Sequence, residues 1–175
     1  KGIYDTAAIA GQNLYTSIDI ELQELGEKLM QNKLYLVSNA DTKLKKGVYD
    51  NTIFEQLPLI YREQGSATRL VMEQFIRANS LPVLKKMELT SNEAVKQAVV
   101  AGLGSSIMPL IGIKNELSNG ELQIMPVKKF PIKTNWHLIW LKNKKFSSAA
   151  KAYLDYLKKE KDNIIHSKFD WFERY

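Results

Sequence analysis

The chain has 175 residues, 45% of them hydrophobic, with a net charge of +6 and a sequence pI near 9.3. That length supports one compact domain or two small lobes around a real core. The absence of cysteine excludes disulfide frameworks, thiolate metal sites and cysteine nucleophiles, and no apolar run approaches the ~20 residues of a membrane helix.

No signal peptide is recognisable, and a cysteine-free chain suits the cytoplasm, which is the expected location. Lys1, Gly2 and Ile3 read like the inside of a domain rather than a capped start. The positive charge is mostly lysine on turns and on the last helix: Lys43, Lys45, Lys46, Lys142, Lys144, Lys145, Lys158, Lys159 and Lys161. No aromatic residues alternate with these lysines as on a single-strand platform, so they read as a solvated surface.

Residues 4–10 are short, apolar and bounded by Gly2 and Gly11, which predicts a buried strand. Residues 18–30 alternate in part and predict a half-exposed strand with a turn at Gly26. Residues 33–37 form another strand, and the polar, lysine-rich stretch 39–50 is loop. A helical turn over 54–57 stops at Pro58. The apolar run 59–61 then leads through a polar turn into a helix over 66–78, with Ala67, Leu70, Val71, Phe75 and Ala78 on its inner face. A strand over 87–89 runs into the N-cap candidates Thr90, Ser91 and Asn92 and a helix turning Val95, Ala98 and Val99 inward. Gly102 and Gly104 turn the chain into the buried strand 106–108. A short helix over 113–117, a strand over 122–127 and a long apolar strand over 136–141 follow. Ser147 or Ser148 caps the last helix, whose inner face is Ala149, Ala150, Tyr153, Leu154 and Leu157. The tail 162–175 shows no clear period, although Phe169, Trp171 and Phe172 must pack on something or form an exposed sticky patch. Strands alternating with helices indicate an α/β protein with mainly parallel pairing.

Catalysis finds no support. Gly102 and Gly104 follow a helix and precede a strand, the reverse of a dinucleotide fingerprint, and read as a helix C-cap and a close-packed turn. His137 and His166 are far apart, and His137 alternates with apolar residues as a structural histidine would. Ser66, Ser91 and Ser105 have no evident base, and the scattered carboxylates propose no metal site. Two polar clusters remain, Gln64, Gly65, Ser66 and Thr68, and Thr90, Ser91 and Asn92. One hydroxyl per helix suffices for a cap, at about 1 kcal/mol. Both clusters lie at the C-terminal ends of strands, where open α/β sheets place ligands, and the surplus of donors favours binding of a small anion. Arg69, in the first turn of its helix, opposes the macrodipole; either an anionic ligand or a carboxylate such as Glu73 at i+4 would offset it.

The segments Arg62-Glu63-Gln64-Gly65-Ser66-Ala67-Thr68-Arg69 and Ala101-Gly102-Leu103-Gly104-Ser105-Ser106-Ile107-Met108-Pro109, in this order, resemble the effector-binding domain of LysR-type transcriptional regulators. The resemblance runs from Tyr4 to the helix near Leu157, and Gly2, Ile3, Tyr4 and Asp5 fit the family's Gly-x-x-Asp pattern. Within the family the pattern looks most like regulators of the CysB and CbbR type. It implies an α/β, two-lobed fold like the type II periplasmic binding proteins, partly incomplete in lobe one. Lobe one would be 1–57 with 133–161, lobe two 58–132, and 162–175 a tail without counterpart, with crossings near Leu57, Pro58 and residues 130–134. It further implies a sensor, not an enzyme, without cofactor or metal. A small anionic metabolite would be held between the lobes by Gln64, Gly65, Ser66, Thr68, Thr90, Ser91 and Asn92. The intact protein would be a cytoplasmic homodimer or homotetramer with no membrane partner, reaching DNA through a winged helix-turn-helix absent from these residues. The linker helix and lobe one's opening strand, helix and strand are also absent, which leads to the expectation of a truncated or partly ordered piece. The alternative is a free-standing solute-binding protein of related fold, which an upstream signal peptide, rather than an upstream helix-turn-helix, would indicate.

Overall fold

The computed structural model describes residues 27–43, 47–138, 140 and 145–175. The expected strand over 4–10, the pattern at 2–5, residues 18–26 and Lys45, Lys46, Lys142 and Lys144 lie outside the described residues. The described chain divides into two compact units, Asn32–Thr134 and, with residues 27–31, Asn135–Tyr175.

The first unit is built on β1 (Glu27–Asn39) from Asn32 onward and on β2 (Pro58–Arg62), β3 (Leu84–Leu89), β4 (Ser106–Pro109) and β5 (Leu122–Ile124); β6 (Ile132–Leu138), which pairs with β1, lies mostly in the second unit. β2 and β3 are parallel, with Ile60 opposite Met87 and Arg62 opposite Leu89. β1 is antiparallel to both β4, with Leu36 opposite Ile107, and β5, with Val37 opposite Ile124. The expectation of mainly parallel pairing therefore fails at β1. β1 is joined to neither β4 nor β5 by a strand–helix–strand unit, so nothing imposes the parallel direction on these pairs.

Among the described residues, three α-helices belong to this unit: α1 (Ala67–Ala78), α2 (Asn92–Val100) and the single turn α3 (Lys114–Ser118). α2 buries Val95, Ala98 and Val99 as its periodicity predicts. α1 is rotated from its expected face: Met72 and Ile76 are buried while Ala67 and Ala78 are exposed. The larger side chains win the interior because each removes more apolar surface from water. The core joins Leu34, Leu36, Phe54, Leu59, Tyr61, Met72, Ile76, Leu81, Ile107, Met125 and Val127. Phe54 sits in a 3-10 turn, Asn51–Glu55, whose first N–H groups are capped by Asp50.

β1 and Phe54 contribute to this core, so among the described residues the compact unit spans Asn32–Thr134. β2 and the start of β4 are joined by backbone bonds from Ser105 N–H to Pro58 O at 2.9 Å and from Ile60 N–H to Ser105 O at 2.8 Å. Ser106 Oγ donates to Ile60 O at 2.8 Å. Gly104 makes this junction possible. A Cβ there would lie 2.6 Å from the Pro58 carbonyl oxygen and 3.1 Å from Ile60 Cγ1. Gly102, at φ +72°, ends α2 with N–H bonds back into its last turn, the C-cap that the sequence suggests.

The second unit is dominated by α4 (Ser148–Phe169), capped by Ser147, and a terminal 3-10 turn, Asp170–Arg174. α4 runs well past Leu157, with no glycine or proline to stop it. Its last turn brings Phe169 to 5.6 Å from Phe172, which Trp171 also contacts edge-on at 4.5 Å. Phe172 is buried, with the Phe169 and Trp171 rings against it. Ala149, Ala150 and Tyr153, expected inward, are exposed among the described residues, and Leu154 and Leu157 are half-buried. His137 is exposed on β6 rather than packed.

Candidate functional site

Two strand-to-helix turns lie side by side because β2 and β3 are parallel neighbours ending at the same level. Glu63 N–H donates to Leu89 O at 3.0 Å and ties the first turn to the end of β3. Gly65, at φ +86°, supplies the left-handed backbone that aims the chain into α1. Ser66 is buried and is the N-cap of α1, its Oγ accepting from Arg69 N–H at 3.4 Å. Ser91 is the N-cap of α2, its Oγ accepting from Ala94 N–H at 2.9 Å. Each helix therefore uses one hydroxyl as its cap. Gln64, Thr68 and Thr90 make no side-chain hydrogen bond among the described residues. Gln64, Gly65, Thr90, Ser91 and Asn92 are exposed, and Thr68 is half-buried.

Arg62 joins the two turns. Its Nε and Nη2 grip both carboxylate oxygens of Glu63 at 2.7 and 2.8 Å. Its Nη1 donates to Asn92 Oδ1 in the first turn of α2. The guanidinium hydrogen bonds hold Glu63 well below the ordinary carboxylate range, to about 2. The same pairing raises the Arg62 pKa.

Arg69 is used differently. Its guanidinium bonds Glu73 at 2.7 Å, Glu88 at 2.6 Å and the Arg62 carbonyl at 3.0 Å. Burial opposes its charge, but the bonds to Glu73 and Glu88 outweigh burial and raise its pKa. Of the two partners open to Arg69, carboxylates hold it; Glu73 was readable at i+4, whereas Glu88 comes from β3. Lys85 Nζ also binds Glu88 at 2.7 Å, and the Tyr61 ring lies under both cations, 5.7 Å from Arg69 and 5.4 Å from Lys85. The hydrogen bonds from Lys85 and Arg69 lower the Glu88 pKa.

On the far side of α2, Lys96 bridges Glu93 at 2.8 Å and Glu116 at 2.7 Å, fastening α2 to α3. The two turns thus present hydroxyl, amide and backbone donors at two helix N-termini, each with a partial positive charge. The nearby cations are already paired. Such a surface can take an anion without unpairing a buried charge. Among the described residues no cluster of histidine and carboxylate side chains suits a metal, and no helix is long and apolar enough to cross a membrane.

The family model for the LysR substrate binding domain matches residues 7–162. The transcriptional activator CmpR of Synechocystis is 37% identical over 145 residues, covering 81% of this chain and 46% of that protein. The RuBisCO operon transcriptional regulator of Acidithiobacillus ferrooxidans is 35% identical over 135 residues, covering 76% of this chain and 43% of that one. The chain thus spans less than half the length of these two relatives. Among solved structures, the Synechocystis PCC6803 CcmR regulatory domain in complex with 2-PG superposes with a TM-score of 0.73 at 32% identity, covering 79% of this chain and 67% of that one.

Proposed function

The chain belongs to the LysR substrate-binding domain family, with the α/β, two-lobed periplasmic-binding-protein-like fold of that family, and on that premise we propose that it is the effector-sensing part of a LysR-type transcriptional regulator. The effector is a small anionic metabolite, and the output passes to a DNA-binding helix-turn-helix elsewhere in the protein, which works as a homodimer or homotetramer in the cytoplasm. A free-standing solute-binding protein is disfavoured, since the relatives above are transcriptional regulators. As a sensor, the chain carries out no catalysis.

The observation that carries this reading is the pairing of two helix N-termini whose capping needs are met by Ser66 and Ser91 alone, leaving Gln64, Thr68 and Thr90 unengaged. We assign Gln64, the Gly65 backbone, Ser66, Thr68, Thr90, Ser91 and Asn92 to the effector. Ser66 and Ser91 accept from the backbone and keep their hydroxyl protons to donate. The ligand of the CcmR regulatory domain, 2-PG, suggests 2-phosphoglycolate as the first probe: a phosphate and a carboxylate on a two-carbon frame, two acidic groups for two turns.

Calorimetric titration with 2-phosphoglycolate tests the reading. Thr68→Ala and Thr90→Ala should each weaken binding by about 1–3 kcal/mol, the value of a hydrogen bond to a charged group, with unchanged thermal unfolding. Unchanged affinity in both variants would reduce the two turns to simple helix caps.

A further inference from the structure

We propose that Arg62 is a positioning residue for the effector, one that fixes which end of the Asn92 amide faces the ligand without itself contacting it. The inference rests on the reading of the two turns given above and adds the device that sets their polarity.

An asparagine amide presents an acceptor at one end and two donors at the other, and rotation about its last bond exchanges them. At the first position of α2 that choice decides whether Asn92 attracts an anion or repels it. Arg62 Nη1 donates to Asn92 Oδ1, so the acceptor end is held toward the guanidinium. The Nδ2 end has no hydrogen-bond partner among the described residues, and Asn92 is exposed. Its two donors therefore join the N–H groups at the head of α2.

Arg62 cannot easily turn to the ligand instead. Its Nε and Nη2 are occupied by the two oxygens of Glu63 at 2.7 and 2.8 Å, and its side chain is only 16% exposed. Glu63 in turn is anchored through its backbone N–H to Leu89 O at 3.0 Å, immediately before Thr90. The planar guanidinium is thus fixed at one edge by the first turn and reaches the second turn with the other. A lysine places its charge in the same region but has no planar fork with which to hold both groups.

Two contrasts separate orientation from charge and from bulk structure. If Arg62 contributed only positive charge, Arg62→Lys would keep full affinity for 2-phosphoglycolate. Orientation predicts that Arg62→Lys and Arg62→Gln both lose about 10-fold or more, as for one charge-assisted hydrogen bond. Asn92→Asp keeps an acceptor for Arg62 and adds a negative charge in the first turn of α2, where it is favourable to the helix. Its thermal midpoint should therefore hold or rise while affinity for 2-phosphoglycolate falls at least about 10-fold; a merely structural Asn92 would not separate the two readouts. In the ligand-free chain, nuclear Overhauser contacts of the Asn92 side-chain amide protons should place Nδ2 on one side of the Cβ–Cγ bond in the wild type and on both sides in Arg62→Lys, which reads orientation without any effector. Full affinity in Arg62→Lys, or wild-type affinity in Asn92→Asp, would overturn the inference. Loss in Thr68→Ala and Thr90→Ala with no loss in the Arg62 variants rejects Arg62 alone. No loss in the threonine variants rejects the site itself, and the Overhauser contacts of the Asn92 amide then decide the orientation separately.

Discussion

Replacement of Gly104 by alanine probes the junction on which the two turns are built. The added Cβ would stand 2.6 Å from the Pro58 carbonyl oxygen and 3.1 Å from Ile60 Cγ1. The closest atom is backbone, so no side-chain rotation relieves the contact. Relief requires β4 to move from β2 by roughly half an ångström or more to restore an ordinary carbon–oxygen contact, an overpacking cost of about 1–3 kcal/mol. That movement stretches the bonds between Ser105 and Pro58 at 2.9 Å, Ser105 and Ile60 at 2.8 Å, and Ser106 and Ile60 at 2.8 Å. Weakening of these bonds, each worth about 1 kcal/mol when intact, brings the expected loss to about 2–4 kcal/mol. Gly102→Ala is the comparison. Its φ is +72°, but a Cβ there meets nothing within 4 Å, so only the left-handed backbone penalty of about 1–2 kcal/mol applies. Urea unfolding followed by tryptophan fluorescence and circular dichroism should show a lower midpoint with an unchanged slope for both variants, with Gly104→Ala the lower. Equal midpoints for Gly104→Ala and the wild type would refute the close approach of β4 to β2.

Glu63 titrates near 2 against an ordinary value of 4.5, because Arg62 hydrogen-bonds its charged form. A depressed carboxylate stabilises the folded state fully above its unfolded pKa, and the contribution is lost as pH falls through the folded one. The Arg62–Glu63 pair should therefore persist at pH 4.5 and disappear toward pH 2; a carboxyl-carbon NMR titration should give the low midpoint in the wild type and one near the ordinary value in Arg62→Gln. These 175 residues contain no helix-turn-helix pattern, so the chain alone should bind DNA only weakly, with affinity falling steeply with salt and no preference for an operator. Titration of operator and scrambled duplexes at two salt concentrations checks this, and operator preference at physiological salt would contradict it.

Local features were the most legible in the sequence. Ser66 and Ser91 were readable as caps because a cap forms between residues three apart. The turn at Gly102 was readable because a helix C-cap is equally local. The bond from Arg62 to Asn92 spans 30 positions and depends on the β2–β3 register, including the irregularity between Leu59 and Ile60; no periodicity encodes that. Glu88 was missed as a partner of Arg69 for the same reason. β1 was read as two strands, yet it runs unbroken from Glu27 to Asn39 through the buried Asn32, whose Oδ1 has no hydrogen-bond partner. A polar residue within an apolar run reads as a break, whereas a continuous ladder carries it through. The last helix was ended early because its apolar residues thin out after Leu157, although Ile165, Phe169 and Phe172 continue a stripe at intervals of four and three.

Whether the paired turns hold an acidic effector is decided by a crystal structure of this chain soaked with 2-phosphoglycolate. An acidic group of the ligand should lie within hydrogen-bond distance, about 2.6–3.2 Å, of the Thr68 and Thr90 hydroxyls and the Asn92 Nδ2, with Arg62 still bound to Glu63. A ligand ordered elsewhere on the chain, with both turns unchanged and uncontacted, would contradict it.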